Sequence, residues 1–135
     1  EVDELLKISD VISIHAPLTP ENKGMIGANA LKAMKPSAIL INAARGGIVN
    51  EADLYQGLKD KVIAGAGIDV FESEPPSDSP LLELDNVVLT PHTAAFTFEG
   101  MNNMSVGVVD QLIAYYQGGK PVHIVNPEVF DKQKV

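Results

Sequence analysis

Three charged residues stand where chemistry can be done. Arg45 lies in Asn42-Ala43-Ala44-Arg45-Gly46-Gly47, Glu74 in Gly67-Ile68-Asp69-Val70-Phe71-Glu72-Ser73-Glu74-Pro75, and His92 in Thr90-Pro91-His92-Thr93. Each segment follows an apolar run with the character of a buried strand, so each charge sits just beyond a strand's C-terminal end. That edge is the ligand-binding side of an open α/β sheet. An arginine gathered there with a carboxylate and an imidazole can bind a small carboxylate and move one proton.

Arg45 has only small residues beside it, which lets a ligand come close to the backbone while the guanidinium takes a carboxylate in bidentate fashion. The competing reading is an arginine paired at a helix N-terminus. Glu74 and His92 matter as a pair, because a carboxylate bonded to an imidazole fixes its tautomer and favours its protonated form. Taken singly, His92 reads as a strand-end cap and Glu74 as a solvated loop residue. Asp69 ends an otherwise apolar strand, where an acid needs a partner, either a ligand amide or the backbone of Phe71. His15 also closes an apolar run, ahead of Ala16-Pro17. The sequence has no metal-ligand spacing, no Gly-x-Ser-x-Gly elbow and no phosphate-binding glycine loop, so metal and serine-hydrolase chemistry find no support.

The elements that must position these residues alternate along the chain. Strands are expected at Val11 to His15, Ala38 to Asn42, Val62 to Val70 and Asn86 to Leu89. Helical patterns run from Glu1 to Ser9, from a Thr19 cap with Pro20 in the first turn, from Ala28 to Met34, and from an Asn50 cap to about Lys59. A longer helix, from Thr97 to Gln117, carries Met101, Met104, Val108, Leu112 and Tyr115 or Tyr116 on one stripe, read as core or interface, and ends at Gly118-Gly119. Continuous apolar strands alternating with helices predict a parallel sheet covered on both faces. The Ser73 to Pro80 loop and the stretch after Gly118 are the linker-like segments.

Composition narrows the partners. With 135 residues and 45% apolar content, one domain with a real core is expected. The net charge of −8, without any Lys/Arg cluster, disfavours nucleic acid and anionic membranes. No apolar run approaches the roughly 18 residues of a membrane span, and no leader-like segment opens the sequence, so a cytoplasmic protein is expected. Without cysteine, disulfides and thiolate metal sites are excluded. The sequence opens inside a helical pattern, which predicts further chain upstream.

The ordered motifs resemble the D-isomer-specific 2-hydroxyacid dehydrogenases over Ser9 to His92. The resemblance rests on Asp10-Val11-Ile12-Ser13-Ile14-His15-Ala16-Pro17-Leu18-Thr19, Met34-Lys35-Pro36, Ile41-Asn42-Ala43-Ala44-Arg45-Gly46-Gly47-Ile48-Val49, the Gly67 to Pro75 segment and Thr90-Pro91-His92. It implies an α/β fold, the C-terminal half of a Rossmann-type doubly wound sheet with about four strands and flanking helices. Residues 1–118 would be a partial NAD-binding domain, and residues 119–135 a tail returning toward a substrate domain.

The resemblance also implies hydride transfer between NAD or NADP and a small 2-hydroxy or 2-keto acid, with 3-phosphoglycerate or glyoxylate/hydroxypyruvate favoured. Arg45 would hold the substrate carboxylate, His92 would exchange the hydroxyl proton and Glu74 would orient His92. His15, Pro17, Ala43, Ala44, Arg45, Asp69, His92, Ala94 and Ala95 would line the cofactor. In this family a branched residue and glycines usually follow the histidine, where this chain has Thr93-Ala94-Ala95-Phe96. A homodimer is expected, as are weak cofactor binding and no turnover by this chain alone. The alternative is a non-catalytic, NAD-sensing protein of the same fold, similar to the C-terminal-binding corepressors.

Overall fold

Four short strands form one parallel sheet in the order β1-β2-β3-β4, with β1 Val11–Ile14, β2 Ile39–Asn42, β3 Gly65–Ile68 and β4 Val87–Leu89. The computed structural model describes residues 1–130. Three helices belong to the first unit, Glu1–Ala94. They are α1 Val2–Ile8, α2 Ala28–Ala33 and α3 Glu51–Lys59, and a 3₁₀ turn spans Pro80–Glu83. The Asn50 side chain accepts the Asp53 amide at 3.0 Å and starts α3, as its sequence suggests. Asp53 in turn accepts the Ala28 amide at 2.9 Å and caps α2.

The core lies on one side of the sheet. Register places Ile12, Leu40 and Ala66 in one row and Ile14, Asn42 and Ile68 in another, and all of these are buried. All but Asn42 share a cluster with Leu6 of α1, Leu31 of α2 and Leu54 and Leu58 of α3. The alternate rows hold Val11, Ser13, Ile39, Ile41 and Val88, of which Val11 is 58% and Val88 68% exposed. Cover on both faces, expected from the apolar runs, is thus not met within this unit. The reason is topological. The strand order advances in one direction, and right-handed crossovers then deliver every connecting helix to the same face.

Two element boundaries also differ from expectation. No helix forms after Thr19. The Asn22 side chain accepts the Thr19 amide at 2.8 Å and donates to the Pro17 carbonyl at 2.7 Å, which closes a single turn instead. Segment 24–26 then runs beside 47–50, through the Ile26↔Val49 bridge and the Gly24 amide on the Gly47 carbonyl. The third strand is four residues long rather than nine. Lys61 takes a left-handed conformation and the Val62 amide returns to the Gly57 carbonyl, so the chain is still leaving α3 at Val62.

The second unit begins at Ala95. Its helix α4, Phe98–Tyr116, is capped by the Thr97 hydroxyl on the Gly100 amide and stops before Gly118, whose φ is +80°. None of its residues is buried. The stripe Met101, Met104, Val108, Leu112 and Tyr115 is therefore not core in this chain, being 45% to 61% exposed. Apolar residues lie on the other faces as well, including Val106, Val109 and Ile113. The Gln111 side chain accepts the Val122 and His123 amides, and Phe130 packs edge-on against Tyr115. Of the tail 119–135, residues 131–135 lie outside the described residues. No helix among the described residues is long and apolar enough to cross a membrane.

Candidate active site

The site grows from the C-terminal ends of β2, β3 and β4, where backbone hydrogen bonds continue past the strands. The Asp69 amide donates to the Asn42 carbonyl, the Thr90 amide to the Ile68 carbonyl and the His92 amide to the Asp69 carbonyl. The loops that carry Arg45, Asp69 and His92 are therefore stitched side by side before any side chain is considered.

Beyond β2, Asn42 turns the chain. Its amide takes the Ala44 N–H at 3.2 Å and donates to the Arg45 carbonyl at 3.0 Å. Gly46 then passes against the backbone of Phe71 and Glu72, where a Cβ would be driven into the Phe71 carbonyl. Gly47 follows with φ +84°, a conformation that glycine adopts without strain. Arg45 is exposed, and among the described residues its guanidinium donates only to the Ala44 carbonyl, at 2.6 Å. Among the described residues it has no carboxylate partner, so the salt-bridged arginine at a helix start does not occur here.

Asp69 is 5% exposed and fully engaged with the loop after β4. Its Oδ1 accepts the Thr90 hydroxyl at 2.5 Å and the Thr93 amide at 2.8 Å, and its Oδ2 accepts the Ala94 amide at 2.9 Å. Burial alone pushes this carboxyl up. The Thr90 hydroxyl and the Ala94 and Thr93 amides, aided by His92, outweigh that and hold it below the ordinary aspartate value. The alternative in which Asp69 caps Phe71 is replaced, because the Phe71 amide donates to Glu74 Oε1 at 3.0 Å.

Glu74 thereby has one oxygen on its own loop and the other on His92. His92 Nδ1 lies 2.9 Å from Glu74 Oε2, with the side chains 49% and 38% exposed. The hydrogen bond from His92, then that from the Phe71 amide, lowers the Glu74 carboxyl below its usual range. His92 itself holds a φ of +56°, uncommon for a non-glycine residue. Its amide is clamped on the Asp69 carbonyl at 2.8 Å, which fixes that turn. With Nδ1 committed to Glu74, Nε2 is the ring nitrogen left for a ligand.

The remaining residues singled out from sequence are more loosely placed. His15 is exposed and its Nε2 meets the Ser13 hydroxyl at 2.8 Å. Pro17 is held through its carbonyl by Asn22. Ala43 and Ala44 are half-buried on the Arg45 loop, and Ala94 is exposed with its amide on Asp69. Ala95 opens the second unit. Sequence reasoning passed over Asn42, Thr90 and Asn22 as site residues. The signal was an asparagine closing an apolar run, a polar type placed where burial requires that it be bonded.

Three comparisons bear on this arrangement. A glyoxylate reductase of Korarchaeum cryptofilum is 49% identical over 129 residues, covering 95% of this chain and 39% of that protein. A D-3-phosphoglycerate dehydrogenase of Methanocaldococcus jannaschii is 41% identical over all 135 residues, which span 26% of its length. Among solved structures, an NADPH-dependent glyoxylate/hydroxypyruvate reductase of Sinorhizobium meliloti, in complex with NADP and malonate, superposes with a TM-score of 0.83 at 36% identity. That match covers 93% of this chain and 40% of the other. The chain thus spans two-fifths or less of the length of these relatives. Residues 1–94 match the family described as D-isomer specific 2-hydroxyacid dehydrogenase, NAD binding domain, and this chain belongs to that family.

Proposed function

We propose that this chain supplies the strand-end half of the active site of an NAD(P)-dependent dehydrogenase acting on a small 2-hydroxy or 2-keto acid. The observation that carries the reading is the contrast at one sheet edge between a guanidinium with no carboxylate partner among the described residues and an imidazole already held by a carboxylate. Arg45 takes the substrate carboxylate as a bidentate ion pair. His92 Nε2 delivers a proton to the substrate's 2-oxygen during reduction and takes it back during oxidation. Glu74, anchored by the Phe71 amide, keeps the imidazole in the tautomer and orientation that this transfer needs.

The residues present suit the nicotinamide end of the cofactor. Asp69 Oδ2 receives one donor and keeps acceptor capacity for a carboxamide N–H. Ala43 and Ala44, small and half-buried, leave room beside it, and His15, Pro17, Ala94 and Ala95 are assigned to its walls. When bound, the reduced cofactor supplies the hydride. Negative charge then grows on the former carbonyl oxygen, where a cationic pair from Arg45 and His92 stabilises it.

Glyoxylate, hydroxypyruvate and 3-phosphoglycerate are the favoured substrates, by analogy with the named relatives. Residues 1–118 are assigned to the cofactor domain and 119–135 to a tail toward a substrate domain. A homodimer and a cytoplasmic location complete the reading, and the uncovered apolar surface of α4 supports self-association. A non-catalytic cofactor sensor remains the second reading, since it would keep the same three residues.

The test is NADH and NADPH oxidation with glyoxylate, hydroxypyruvate and 3-phosphohydroxypyruvate. It uses a polypeptide of the relatives' length carrying this segment, alongside cofactor binding measured by fluorescence. Turnover that disappears with His92→Gln supports the enzyme. Cofactor binding without turnover on any of the three substrates favours the sensor.

A further inference from the structure

We propose that Asn42 is the positioning residue of Arg45, the part that fixes where the carboxylate-binding guanidinium is presented. The proposal rests on the reading of Arg45 given above and goes beyond it. Asn42 closes β2 in a row whose other members are Ile14, Ile68 and Leu89. It is 1% exposed. A polar amide so placed is costly unless both of its ends are bonded, and an apolar side chain would fill the same row. Packing therefore does not call for asparagine.

Its two hydrogen bonds supply the reason. Oδ1 accepts the Ala44 amide and Nδ2 donates to the Arg45 carbonyl. One partner can only donate and the other can only accept, so the orientation of the side-chain amide follows from the chemistry. The pair of bonds curls residues 43–45 back over the strand end. Arg45 has no acid to hold its side chain among the described residues, so its aim is set through this backbone. On the far side, Gly46 against Phe71 blocks the loop from sliding outward. The Asn42 carbonyl also receives the Asp69 amide, and Asp69 holds the His92 turn. One buried residue thus sets the base of the arginine and touches the frame of the histidine.

A double-mutant cycle separates this role from a general contribution to folding. Asn42→Ala removes both bonds. Asn42→Asp keeps the acceptor for Ala44 and gives up the amide donor to Arg45, and it serves if the alanine variant does not fold. In a polypeptide of the relatives' length, either substitution is expected to raise KM for glyoxylate about tenfold while KM for NAD(P)H stays unchanged. In an Arg45→Ala background the same substitution is expected to change KM for glyoxylate less than about twofold. An equal loss in both backgrounds, a loss that falls on the cofactor KM instead, or failure of both variants to fold overturns the proposal. An Arg45→Ala variant with unchanged glyoxylate KM overturns the underlying carboxylate reading, which is a separate result.

Discussion

The two working arms of the site are built in opposite ways. The arm proposed to transfer the proton is held at every joint. His92 is clamped through its amide by Asp69 and through Nδ1 by Glu74, and Glu74 is anchored by the Phe71 amide. The arm proposed to bind the carboxylate has a rigid base and a tip without an acid partner, since Asn42 and Gly46 hold the loop while the Arg45 guanidinium, among the described residues, meets only its neighbour's carbonyl. The difference follows the chemistry each arm is assigned. A proton donor must present one nitrogen in one direction, so its orientation is prepaid by the fold. An arginine with an internal carboxylate partner would have to surrender it before binding an anion, so leaving it unpaired favours the ligand.

Substitutions at four positions test that contrast. Removing the proposed proton carrier should cost most, so His92→Gln is expected to lower kcat by about 10²- to 10⁴-fold with cofactor affinity retained. Steady-state kinetics with parallel fluorescence titration checks this, and a smaller loss would mean that the fixed arm does not carry the proton. Arg45→Ala comes next. Losing a charge-assisted pair of about 1.5–3 kcal/mol should raise the 2-keto acid KM about 10- to 100-fold. Arg45→Lys should recover only part, because an ammonium lacks the planar fork, and full recovery would reduce Arg45 to a point charge.

Gly46→Ala attacks the base of the free arm rather than its tip. The added methyl collides with the Phe71 carbonyl, and overpacking of this kind costs about 1–3 kcal/mol, read as a lowered Tm. An unchanged Tm would show that the loop has slack, and the rigid-base description would fail.

Glu74→Gln should have the smallest effect on Tm and the clearest pH signature in stability. The folded state lowers the Glu74 and Asp69 carboxyls below their ordinary values. Their contribution to stability is therefore complete above the ordinary carboxylate range and is lost as pH falls through it toward the folded values. Replacing Glu74 removes one of the two contributions, so the acid limb of a Tm-against-pH profile should flatten. An unaltered limb would place the acid sensitivity elsewhere.

Legibility differed between the parts of the molecule. The four strands, the α3 cap at Asn50 and the extent of α4 up to Gly118 were readable because each rests on local chemistry, whether an apolar run, a capping side chain one turn away or a glycine stop. The turn after Thr19 was misread as a helix. Thr19-Pro20 is good helix-start chemistry, and Asn22, which diverts it, acts through bonds to Pro17 and Thr19 that no pattern announces. The sheet's open face was misread for a different reason. Periodicity records that Val11, Ile39 and Val88 are apolar, but strand order decides whether a helix arrives to cover them.

The sequence by itself determined which groups stand at the sheet edge, because residue type and distance past a strand end are local properties. Arg45, Asp69, Glu74 and His92 were all visible there. Only the tertiary structure decided how they divide the work. Asp69 proved to be a buried clamp on Thr90, Thr93 and Ala94, Glu74 took the Phe71 amide, and Asn42 emerged as the holder of the Arg45 loop. The Asp69 bonds join loops that the parallel register brings together across 21 to 25 residues of chain. Those of Glu74 and Asn42 span three residues or fewer, and they form only because the folded loops bring donor and acceptor within the roughly 3 Å that a hydrogen bond reaches.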